Sequence, residues 1–227
     1  MKPLRRFLGF LFAAVLALPI LAASAQTPSA GAIPNINELE GIEAAVSRTW
    51  GLDVEAMIAA TPNIEPDEFG QGVTALSAMV LRFDTAEHAR AAYDAFLDGV
   101  DVSLPDLAQG GTPTVTDEPL NDLGDTATAV TLNTRTEERE TFYRLVLVQE
   151  GEYFFLTSAL AGTSDDVAIA GELARYVVTE GEEQGDEAIF VAEGGSRGGL
   201  WGFMPANDND MLGDLIPIYD ETLYPAP

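Results

Sequence analysis

Residues 141–160 read TFYRLVLVQEGEYFFLTSAL, and the reading of this stretch decides the fold. Thr141 to Val148 is a run of aromatic and β-branched residues, and Tyr153 to Leu160 is a second one. Such residues fit a pleated, buried surface better than a helix. Between the two runs, Glu150-Gly151 suits a two-residue turn, where glycine takes the positive φ that tight hairpins require. Two strands joined this closely pair antiparallel.

Further strands lie upstream. Thr126 to Leu132 alternates Thr and Ala before Val130 and Leu132. Gly72 to Phe83 reads as a buried strand, with Val73, Ala75, Met79, Leu81 and Phe83 on one face and Leu76, Ala78 and Val80 on the other. Asp84-Thr85 then caps an amphipathic helix to about Leu97, closed by Gly99, with Ala89, Ala92, Tyr93 and Phe96 as its apolar stripe. Ser164 or Asp165 suits the cap of a last helix to about Val178, with Ile169, Leu173, Tyr176 and Val177 inward. Near the start, Asn35 or Asn37 is placed to cap a helix through Glu38, Ile42, Val46 and Trp50, ended by Gly51. A short helix from Asp53 to Ala60, stopped by Pro62, and a loop from Pro105 to Pro113 complete the pattern.

The order helix, strand, helix, three strands, helix predicts an α+β fold: a curved antiparallel sheet of four to five strands with two or three helices on one face. An irregular C-terminal segment follows. In element order alone the chain resembles small exported α+β modules of the PsbP-like and Mog1-like kind; no motif is shared, and no family is assigned.

Residues 1–25 read as a cleavable signal peptide. Lys2, Arg5 and Arg6 precede an apolar run from Phe7 to Leu21, and Ala23-Ser24-Ala25 gives a small-x-small cleavage site before Gln26. The run has 15 residues, against the roughly 20 that span a bilayer. Residues 26–34 read as a flexible leader, 35–180 as a single α+β domain, and 181–227 as an irregular tail rich in Gly, aromatics and acids. Within that tail Ala188 to Val191 fits one more strand, while Trp201, Phe203, Met204, Ile216, Ile218 and Tyr219 are too apolar for a purely solvating segment.

The formal net charge is −26, and becomes −29 once the three basic residues of the signal peptide are removed. The only Lys lies in that segment and there is no Cys. Such a surface repels phosphate backbones and anionic membranes, so a nucleic-acid partner is disfavoured. The signal peptide makes secretion or the periplasm the expected location. After signal cleavage nothing in the sequence makes it an integral membrane protein.

The residue inventory also restricts chemistry. One His and no Cys exclude Cys–His nucleophiles and zinc sites built on several such ligands, and the lack of mature Lys excludes Schiff bases. His88 sits at the edge of a helical apolar stripe, and no G-x-S-x-G elbow supplies it with a nucleophile, so it reads as a rim histidine. The glycines of 194–199 precede no helix and no Lys, unlike a phosphate loop. Asp208-Asn209-Asp210 with Gly213 and Asp214 resembles a calcium loop, but Leu212 and Tyr219 occupy ligand positions. Asn121 to Asp125 is a polar turn. We therefore assign no catalytic, cofactor-binding or metal-ligating residue, and no cofactor. The expected function is a non-catalytic extracytoplasmic module that binds a small ligand or a protein; the alternative is a carboxylate-dependent hydrolase, with or without assistance from a cation. An apolar cavity between sheet and helix would favour ligand binding.

Overall fold

The computed structural model describes residues 33–53, 72–103, 112–135, 140–183 and 199–224. The signal peptide, nearly all of the leader, most of the Asp53–Ala60 helix, the Ala188–Val191 strand and the glycine run up to Gly198 lie outside the described residues.

The 141–160 stretch forms the expected hairpin. Strand β5 (Glu140–Glu150) pairs with β6 (Tyr153–Ala161), with Glu150 opposite Tyr153. The turn is Gly151-Glu152, one residue later than the sequence suggests, and Gly151 has φ +53°. Around this hairpin stand β1 (Ile42–Leu52), β2 (Val73–Phe83), β3 (Thr112–Pro119), β4 (Thr126–Arg135) and β7 (Leu215–Tyr224). All seven strands join one antiparallel sheet in the order β3-β4-β5-β6-β2-β1-β7. Helices α1 (Ala86–Ser103) and α2 (Ile169–Thr179) cover it.

This corrects the expected sheet of four to five strands with two or three helices on one face. Among the described residues there are seven strands, and the two α-helices lie on opposite faces. Tyr93 and Phe96 of α1 pack with Leu81, Phe154 and Leu156, whereas Leu173 and Val177 of α2 pack with Val80, Val146 and Phe155. Neighbours Phe154 and Phe155 thus serve different cores, as strand alternation requires.

Three of the differences have physical causes. Residues 42–52 are a strand, not a helix. A spacing of four residues returns to the same face in both a helix and a strand, so Val46 and Trp50 do not discriminate between them. In β1, Ala44, Val46, Arg48 and Trp50 face α2, while Ala45, Ser47 and Thr49 face the other way. Asn35 does cap, but only a single 3-10 turn (Ile36–Glu38), its side chain accepting from the Asn37 N–H at 3.1 Å. Strand β3 begins within the expected Pro105–Pro113 loop; Pro113 and Pro119 stand at its ends, which suits an edge strand.

The third difference lies in the segment expected to be irregular. Leu200, Trp201, Phe203 and Met204 fold under the α2 face, and Phe203 lies 5.2 Å from the Tyr153 ring and 5.4 Å from Phe155 between centroids. The chain then enters the sheet as β7, with Leu215 opposite Leu52 and Tyr224 opposite Ala45. Helix α1 continues through Gly99, so that Val100 is buried beneath it. Helix α2 is entered through a 3-10 turn (Asp166–Ala168) held by Thr163 rather than by Ser164 or Asp165. The Thr163 hydroxyl accepts from the Asp166 N–H at 3.1 Å and donates to its carboxylate at 2.6 Å.

Candidate functional site: a groove between helix α1 and the sheet

Helix α1 packs chiefly over β5, β6 and β2, and among the described residues no α-helix packs as closely on the same face of β1. A cavity opens there. Its floor carries hydroxyls placed by β-alternation: Thr49 is the cross-strand partner of Ser77, and Ser158, the partner of Ser77 on its other side, lies just outside the lining. The Ser77 and Ser158 hydroxyls are hydrogen-bonded at 2.7 Å. Ser47 lies two residues from Thr49 and lines the same space. Phe96 and Val100, near the end of α1, form one wall, and Ile33, Pro34 and Ile36 with Leu223 of β7 form the other.

The space open to a water-sized sphere is about 50 Å³, room for roughly four waters or a short aliphatic group. No charged side chain lines it. Ser47, Ser77 and Met79 are only half-buried although they sit on interior strands, because the groove reaches solvent. Beyond Thr49 the apolar surface continues: a Cβ on Gly51 would stand 2.8 Å from the Ile218 side chain, and Ile216 and Ile218 are exposed large apolar residues. Tyr143 lies on the α1 face of β5, and burial pushes its phenol well above its ordinary value. Ser158 opposes this, but the two hydroxyls do not meet in hydrogen-bonding geometry.

The polar residues weighed from sequence lie elsewhere. His88 Nδ1 donates to Asp84 Oδ1 at 2.6 Å, and Nε2 lies 3.8 Å from Glu40. Its ring partners are carboxylates, so it holds the start of β1 against the start of α1. Gly41 is required there, since a Cβ would collide with both Asp84 and His88. The Asp84 hydrogen bond raises the His88 pKa, aided by the charges of Asp84, Glu40 and Glu87, while the same bond lowers that of Asp84.

The sign of the pH effect follows from these directions. Protonated His88 stabilises the fold fully below its ordinary pKa, and that contribution is lost as pH rises through the raised value. Ionised Asp84 contributes above its ordinary pKa, and that part is lost as pH falls through the lowered value. Between about pH 5 and about pH 9, the melting-temperature advantage of wild type over His88→Gln should therefore shrink as pH rises. A difference that stays constant would contradict the pairing.

Asn209 accepts from the Met211 N–H at 3.0 Å and caps the Asp210–Leu212 turn, which accounts for the calcium-like spacing. Asp125 accepts from the Gly151 N–H at 2.8 Å, fastening the Asn121–Asp125 loop to the hairpin turn. Among the described residues no group of three or more His, Cys, Asp or Glu stands ready to hold a metal ion.

On the α2 face, Arg48 binds Asp220 through two hydrogen bonds of 2.7 and 2.9 Å. Its guanidinium lies 5.9 Å from the Trp50 ring and 5.4 Å from Trp201. Arg82 bridges Glu43 and Glu183, and Tyr153 donates to Glu183 at 2.7 Å. Burial first, and then this carboxylate, push the Tyr153 phenol up to about 12. Both clusters tie the C-terminal half to the sheet.

The sequence gives no sign of the groove itself. Ser47, Thr49 and Ser77 are scattered hydroxyls until the register of β1 and β2 is known. Reading β1 as a strand would have aligned the first two.

No protein-family model matches the chain, and no curated protein matches it. Among solved structures it is similar to the extracellular domain of PknH from Mycobacterium tuberculosis, at 14% identity over 68% of this chain and 97% of that one, with a TM-score of 0.35. No functional residue is transferred from so loose a likeness.

Proposed function

We propose that this chain is an exported, non-catalytic binding module and that its ligand occupies the groove between α1 and strands β1 and β2. The observation that carries the reading is an uncharged, hydroxyl-bearing cavity open to solvent beside the α1-side core.

The neutral dye N-phenyl-1-naphthylamine tests the site. Its fluorescence should rise saturably with one site per chain, and Ser77→Leu, which places apolar bulk on the cavity floor, should weaken binding at least tenfold with the melting temperature largely retained. Binding unchanged by Ser77→Leu would refute the location. Chromogenic ester and glycoside substrates should show no turnover with or without chelator; turnover would restore the hydrolase.

Export rests on the charged, apolar and small-residue order of residues 1–25, and among the described residues no helix is long and apolar enough to cross a membrane. The mass of the exported protein should correspond to a chain starting at Gln26. An intact Met1 on membrane-bound protein would defeat this part of the proposal.

A further inference from the structure

Taking the groove as the binding site, we infer that its ligand is an uncharged amphiphile with a single aliphatic chain, held by a neutral hydroxyl or carbonyl head at Thr49 and Ser77. The inference rests on the reading above and deepens it.

The lining sets the head group. Each hydroxyl has one donor and two acceptor lone pairs. Ser77 and Ser158 share one hydrogen between them, so the pair still offers both donor and acceptor capacity, and Thr49 adds its own beside it. This suits an alcohol, ester or amide. A carboxylate or phosphate would be stripped of water with no Lys, Arg or His in the lining to pair it, inside a chain of formal net charge −26. An ammonium would be drawn to the surface by that charge, yet the lining contains no carboxylate to replace its hydration.

The shape sets the tail. Phe96, Val100, Leu145 and Leu156 enclose space for a few carbons, and the groove is open to solvent beyond them. A longer chain has apolar surface to follow at Ile216 and Ile218, beside Gly51 on the same strand face as Thr49.

Three ligands sharing one chain and differing in head charge test this: 1-octanol, octanoate and octyltrimethylammonium, each displacing N-phenyl-1-naphthylamine from the full exported chain at about 0.15 M salt, where surface attraction is screened beyond about 8 Å. Octanol should displace the dye at a concentration at least tenfold lower than either ion. In Thr49→Val with Ser77→Ala, octanol should lose that advantage while dye binding persists. An ion that competes within threefold of octanol overturns the inference, as does a double variant that keeps the wild-type ranking. Should the double variant fail to fold, the wild-type ranking alone decides. A dye that never binds refutes the groove as a site, whereas a bound dye displaced equally by all three ligands refutes only the ligand class.

Discussion

A chain ended after Glu193 should not fold. The deletion removes β7, which pairs with β1 from Leu52 to Ala45, and it removes Leu200, Phe203, Met204, Leu212, Leu215 and Leu223 from buried positions. Burying such a side chain is worth about 1.5–3 kcal/mol. The six therefore amount to roughly 9–18 kcal/mol as an upper bound, since the unfolded chain already hides part of this surface. Domains of this size have about 5–15 kcal/mol in all. The loss of Trp201 comes on top of this, and β1 becomes an open edge that invites aggregation. Circular dichroism and size-exclusion chromatography should report an unfolded or aggregated product. A cooperative melt within a few degrees of the full chain would show that residues 199–224 are dispensable.

The second large effect concerns Arg48. Its guanidinium is held by Asp220 and flanked by two indoles, and the two side chains of the ion pair are 11% and 21% exposed. Arg48→Ala removes two charge-assisted hydrogen bonds from the half-buried carboxylate and opens a gap between the rings. Breaking a buried pair costs about 3–5 kcal/mol, and residual exposure places this one near 3 kcal/mol. For a chain of this length that is a fall of roughly 6–12 °C in melting temperature. Replacing both partners together, as Arg48→Met with Asp220→Leu, should recover most of it, because no charge is then stranded. Urea unfolding measures both. A single variant within about 1 kcal/mol of wild type would mean that the pair is not a significant structural support.

Much of the sheet was legible in advance. The 141–160 hairpin, the two faces of 76–83 and helix α1 declared themselves, whereas Val73, expected with Met79, Leu81 and Phe83, packs with Leu76, Ala78 and Val80 because the register shifts between Val73 and Ala75. What escaped has a common cause. Strand β1 carries small and hydroxylic residues between its large ones, so its alternation is masked and only the four-residue spacing stands out. Strands β3 and β7 lie at the two edges, contain Pro113, Pro119 and Pro217, and alternate poorly because each has one neighbour. The side of the sheet taken by each helix was illegible for another reason: it depends on strand order, which no local pattern encodes. The groove inherits that limit, since it lies where α1 packs less closely on the sheet, over β1.

The placement of the tryptophans has an optical consequence. The chain has two, and both lie against the same guanidinium on the α2 face. Intrinsic emission therefore reports a single locality, the seam where the C-terminal segment meets β1. Release of that segment should red-shift and brighten or quench the whole signal at once, with no second indole to dilute it. Occupation of the groove, on the far side of the sheet, should leave the spectrum nearly still. Unlabelled protein thus separates two events that a melting curve would merge: the seam opening, seen by fluorescence, and ligand arriving, seen only by the added dye.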